Sequence, residues 1–137
     1  MAVWPPSEVL DRLAALARPE IEGVRWTDRS QWHVTLRFLG PVTDVAPIYA
    51  ALTTVEVADA PVTAVLGPAV GRFGQRILHV PASGLDAVAA TVVDATAGLG
   101  RPPDDRPLNG HVTLARARHA TRFIVLIPAW HHKNSAR

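Results

Sequence analysis

The chain has 137 residues with a formal net charge of +2; 48% are hydrophobic, 19% are charged and none is Cys. That is the profile of one soluble globular domain with a core of its own, and the lack of Cys excludes a disulfide framework and thiolate zinc sites. Arg outnumbers Lys thirteen to one, Lys133 being the single Lys; no like-charge run forms a nucleic-acid tail, yet Arg is suited to bidentate phosphate binding.

Ala2 to Trp4 is a short apolar stub closed by Pro5-Pro6. Ser7 can cap a helix whose apolar residues Val9, Leu10, Leu13, Leu16 and Ala17 follow the 3.6-residue period, and Pro19 stops it. Val24 to Thr27 reads as a strand, Asp28 to Ser30 as a turn, and Trp32 to Leu39 as a second strand closed by Gly40-Pro41. Asp44 can cap a helix to about Thr54, with Pro47 tolerated in its first turn. Pro61 to Leu66 and Arg76 to Val80 read as strands, joined across Gly71 to Gly74. Ser83 can cap a third helix to about Ala97, a Gly/Pro/Asp-rich loop covers Gly98 to Pro107, and Asn109 to Ala115 is a further strand. This order predicts an α+β fold of two similar lobes. The N-terminus lacks a secretory pattern, and the longest apolar run, Phe123 to Ile127, is too short to cross a membrane. A cytoplasmic protein is expected, with no membrane contact and no protein partner inferred.

Within that frame one tetrapeptide occurs twice, His33-Val34-Thr35-Leu36 and His111-Val112-Thr113-Leu114. Side chains alternate along a strand, so His33, Thr35 and Arg37 are expected on one face and the apolar Val34, Leu36 and Phe38 on the other, packed on a helix. His111 and Thr113 repeat the arrangement. Two imidazoles in one cleft can divide acid and base work in phosphodiester cleavage, because a group with a pKa of about 6.5 serves in either protonation state. The Thr hydroxyls can bond non-bridging phosphate oxygens and an Arg can add charge. A diester carries one negative charge, so such a site can work without Mg²⁺, and no Ser elbow or phosphate-binding loop is present. Phe73, in Gly71-Arg72-Phe73-Gly74, is a candidate to stack on a base, with a buried loop anchor as the alternative. His79 and the four Trp read as structural, and His119, His131 and His132 as part of an irregular tail.

His33-Val-Thr-Leu-Arg-Phe-Leu-Gly40 and His111-Val-Thr-Leu-Ala-Arg116 resemble the two signatures of the two-histidine (2H) phosphoesterase superfamily, and within it the bacterial RNA 2′,3′-cyclic phosphodiesterase (2′-5′ RNA ligase) family. The resemblance covers about residues 1 to 118, including Ala2 to Ser7 as an opening strand and turn and Gly71 to Leu78 as a middle hairpin. It implies a bilobal α+β fold with two antiparallel sheets, helices outside and a central cleft. It also implies hydrolysis of 2′,3′-cyclic phosphate ends of RNA, or of small nucleotides carrying that group, to 2′-phosphates without metal or cofactor. His33 would be the general acid and His111 the general base. Thr35 and Thr113 would hold the phosphate, Arg116 and Phe73 would contact substrate, and 2′-5′ ligation would be the reverse path. The expected layout is a domain over 1–120 with a clipped first strand, and an atypical, truncated or divergent tail over 121–137. Two alternatives accompany this expectation: a sibling phosphodiesterase with another cyclic phosphate substrate, and an inactive domain that only binds RNA ends.

Overall fold

A computed structural model describes residues 1–56, 61–121 and 123. The apolar stub Ala2–Val3 (β1) leads into helix α1, Ser7–Ala14. This helix begins where Ser7 predicts, but Pro6 occupies the cap position and no side chain caps it. Its apolar stripe buries Leu13 and ends three residues earlier than the periodicity suggests. Val24–Trp26 forms β2, Arg29–Gln31 a turn of 3-10 helix, and Val34–Thr35 β3. The expected long strand over Trp32 to Leu39 is thus only two residues of ladder, because its partner β1 offers only two. Helix α2 spans Ala46–Thr53, with the Asp44 carboxylate accepting from the Ala46 N–H at 2.9 Å. Val65–Leu66 (β4), Gly71–Phe73 (β5) and Ile77–Ser83 (β6) follow; Gly71–Phe73, a connection by composition, is a strand paired with β6, as the hairpin implied by the resemblance requires. Helix α3, Asp86–Ala95, begins beyond Ser83, which lies in β6, and His111–Ala117 forms β7.

The architecture is α+β with two sheets, and every strand pair is antiparallel. The smaller sheet is β1–β3; the larger has the order β2-β7-β6-β4, with β5 also on β6. Leu78, Val80, Val112, Leu114, Ala115 and Ala117 from the large sheet meet Leu13 of α1 and Ala89 and Val92 of α3 in one core, which also takes in Val34 and Leu36. Apolar burial at this scale is the main favourable term in folding. No helix among the described residues is long and apolar enough to cross a membrane. Of residues 121–137, expected as an atypical tail, Thr121 and Phe123 are described, and Phe123 joins the core. The strand expected over Arg122 to Pro128 and the pair His131-His132 lie outside the described residues.

Candidate active site

The segments carrying the two repeats pack together, β3 against β7. A buried relay ties them. Trp32, 1% exposed, donates from its indole N–H to the Thr27 hydroxyl at 3.0 Å, and that hydroxyl lies 2.7 and 2.9 Å from the carbonyls of Thr113 and Leu114. The residue preceding His33 is therefore anchored on the backbone of the second repeat, and both indole and hydroxyl are satisfied in the interior. Thr27 carried no sequence signal beyond lying at a strand end.

Val34, Val112 and Leu114 are buried, as the alternation predicts, while His33, His111 and Thr113 are half-buried and Thr35 is exposed. Leu36 is buried as expected, and alternation fails from Arg37 onward. Arg37 is not beside His33 in the open: it is 4% exposed, and its Nη2 reaches the carbonyls of Thr96, Leu99 and Arg101 at 3.0–3.1 Å, closing the end of α3. Phe38 does not pack on a helix but is 66% exposed. The chain leaves the two-residue ladder after Thr35, so period two no longer fixes which side each residue takes.

A register shift sets the second repeat's polar face. His79 pairs with Thr113, while Leu78 pairs with Ala115, so Leu114 is an extra residue on β7. Such a bulge reverses the alternation. Ala115 turns into the core, and Arg116, paired with Arg25 and Ile77, comes to the side that bears His111, Thr113 and His79. Simple alternation would have put Arg116 on the apolar side.

His111 donates from Nδ1 to the Asn109 carbonyl at 2.7 Å. A carbonyl only accepts, so Nδ1 carries the proton, and a neutral ring keeps its lone pair on Nε2. Its ring lies 4.7 Å from Phe73 and 5.4 Å from His79, both edge-on, and Phe73 stacks on His79 at 3.9 Å. Gly71 leaves room for this stack: a Cβ there would come 2.7 Å from the His79 ring. His33 lies against Trp4, with ring centroids 5.4 Å apart. A cleft of about 1080 Å³ is lined by Thr35, Phe38, Phe73, Arg101 and His111, among others; His33 and Thr113 are not among its lining residues. Among the described residues no three His, Asp or Glu side chains gather as metal ligands would.

His79, read from sequence as structural, is 6% exposed and belongs to this aromatic cluster. Burial, and after it the neighbouring His111, hold its pKa below the ordinary histidine value. Below pH ~6.5 the unfolded chain accordingly takes up a proton that the folded chain resists, so folding stability falls as pH drops through that window and is flat above it. We expect His79→Gln to flatten the fall relative to the parent chain in thermal melts between pH 8 and pH 5; an unchanged slope would contradict this.

The LigT-like phosphoesterase family model matches residues 3–69, a span holding the first repeat. Over 118 residues the chain is 28% identical to an RNA 2′,3′-cyclic phosphodiesterase of Geobacillus stearothermophilus; the match covers 80% of this chain and 37% of that protein. The chain thus spans little more than a third of the length of that curated relative. Among solved structures, E. coli LigT complexed with 3′-AMP matches with a TM-score of 0.69 at 24% identity, over 94% of this chain and 78% of that one. A second structure, described as a phosphoesterase, matches with the same values. At that identity, the structural likeness speaks for the fold.

Proposed function

We propose that this chain, similar to the LigT-like phosphoesterases over residues 3–69 and to an RNA 2′,3′-cyclic phosphodiesterase, hydrolyses 2′,3′-cyclic phosphate ends of RNA to 2′-phosphates by histidine acid–base catalysis. The observation that carries this reading is the His111 ring, its Nδ1–H tethered to the Asn109 carbonyl, in the cleft that Thr35 and Phe73 also line. The tether fixes the tautomer a general base needs, with Nε2 free to take a proton from water.

In the proposed step the water oxygen attacks phosphorus while its proton passes to His111 Nε2. The P–O3′ bond breaks, and protonated His33 delivers its proton to the departing O3′, leaving a 3′-hydroxyl and a 2′-phosphate. Thr35 and Thr113 donate hydroxyl protons to the non-bridging oxygens, and Arg116 adds positive charge from the face the bulge gives it. Phe73 offers its ring to the base, backed by His79. With a 5′-hydroxyl in place of water the same path, with P–O3′ again broken and O3′ protonated, forms a 2′-5′ bond. The relative from Geobacillus carries the name of this activity, which supports the substrate class.

Product analysis tests the proposal. A short RNA ending in a 2′,3′-cyclic phosphate should give a 2′-phosphate product; a 3′-phosphate product, or none from the folded chain, would refute it. Thr35→Val should lower kcat/KM about tenfold, the scale of one lost hydrogen bond to a charged oxygen. Its Tm should hold, because Thr35 is exposed. Full activity in this variant would remove Thr35 from the site.

A further inference from the structure

Phe38 is the largest departure from the sequence reading and takes no part in the chemistry proposed above. Its ring is 66% exposed, and the Arg101 guanidinium lies 5.7 Å from the ring centroid. Both residues line the cleft that holds Thr35 and His111. A bare aromatic ring in water forfeits the burial it could have had, and the pair is built rather than incidental. The Arg101 N–H donates to the Leu39 carbonyl at 2.8 Å, and buried Arg37 holds the Arg101 carbonyl at 3.1 Å. Phe38, Leu39 and Arg101 are thereby fixed side by side through backbone bonds, with the two side chains left facing the cleft. Among the described residues no carboxylate lies within ion-pair distance of Arg101, although Asp86 and Asp94 line the same cleft.

We propose that Phe38 and Arg101 form a nucleobase-stacking subsite that takes a base of the RNA strand beyond the reacting nucleotide. The inference rests on the phosphodiesterase reading and extends it to substrate length. Bases stack on aromatic rings and on Arg guanidinium planes without regard to sequence, and an aromatic ring paired with a cation suits an anionic, base-bearing chain. The cleft carries a second ring, Phe73, next to His111. A mononucleotide has one base and cannot occupy both; an RNA end can. The cleft volume of about 1080 Å³ is also at the top of the range for a single small ligand.

The test compares kcat/KM for a mononucleotide 2′,3′-cyclic phosphate with that for a tetranucleotide bearing the same end. In Phe38→Ala the ratio of tetranucleotide to mononucleotide should fall about tenfold, mainly through KM, which is the scale of one lost stack. Phe38→Trp should restore it, and Arg101→Gln should lower it in the same sense. An unchanged ratio, or equal losses on both substrates, would overturn the subsite. Binding of a trinucleotide ending in a 3′-phosphate separates this inference from the reaction. Weaker binding in Phe38→Ala supports the subsite even where no substrate turns over, and unchanged binding refutes it whatever the chemistry.

Discussion

Replacing His111 by Ala is expected to lower kcat for a 2′,3′-cyclic phosphate by at least ~10², the lower end of what one positioned acid or base contributes. The size follows from geometry. The Asn109 carbonyl already orients the ring and fixes its tautomer, so the parent chain has no reorganisation to make before Nε2 accepts a proton. No other described group can replace it. The nearby His79 is 6% exposed, stacked on Phe73, and holds its ring where Gly71 leaves space, so it cannot swing into the gap. His33→Ala should fall by a similar factor if it supplies the proton to O3′. The double variant should lose less than the product of the two, because groups that act in one step are not additive. Val112 and Leu114, not the imidazole, supply the core side of this strand, so the melting temperature of His111→Ala should stay within a few degrees of the parent. A variant that melts normally and turns over normally would end the two-histidine account.

The second large effect is on stability. Arg37→Leu should destabilise the chain by about 2–3 kcal/mol, the scale of hydrogen bonds to a charged donor left unmade at buried carbonyls. Three carbonyls, of Thr96, Leu99 and Arg101, lose the Nη2 that closes α3 and the turn after it. The loss is moderated because Nε and Nη1 of Arg37 are buried with no hydrogen-bond partner among the described residues, so removing the guanidinium also relieves a desolvation cost. For a chain of this size the shift in Tm is about 10 °C. An Arg that served the phosphate instead would show the opposite pattern, with Tm held and rate lost. Measured well below the melting range, mononucleotide turnover in Arg37→Leu should stay within about threefold of the parent.

These two residues also show what the sequence could and could not convey. His33 and His111 stand out because the tetrapeptide around them repeats, and the apolar partners Val34, Val112 and Leu114 lie buried as the period of a strand requires. Arg37 sits two residues from Thr35 and was placed on its face by the same rule. The rule stops where β3 stops, and β3 stops because β1 is two residues long. Phe38 was misplaced for the same reason. Arg116 reaches the polar side through a bulge that one strand's sequence does not reveal, since the extra residue exists only relative to β6. His79 was within reach. Gly74, with φ of +56°, opens a three-residue hairpin loop that pairs Phe73 with Ile77 and hence Gly71 with His79. A Gly opposite a His in that register signals a ring needing space, which a reading of each strand by itself misses. Apart from β5, the order of helices and strands is legible from periodicity, while helix starts drift by up to two residues because Pro6, Val45 and Leu85 occupy the cap positions rather than the polar side chains nearby.

Hydrolysis of a 2′,3′-cyclic mononucleotide in the presence of EDTA, by the parent chain and by His33→Ala, tests the central claim most directly. The account predicts steady turnover by the parent with a bell-shaped pH profile, unaffected by EDTA, and a loss of at least ~10² in the variant. Turnover that EDTA abolishes, or that His33→Ala retains in full, would contradict it.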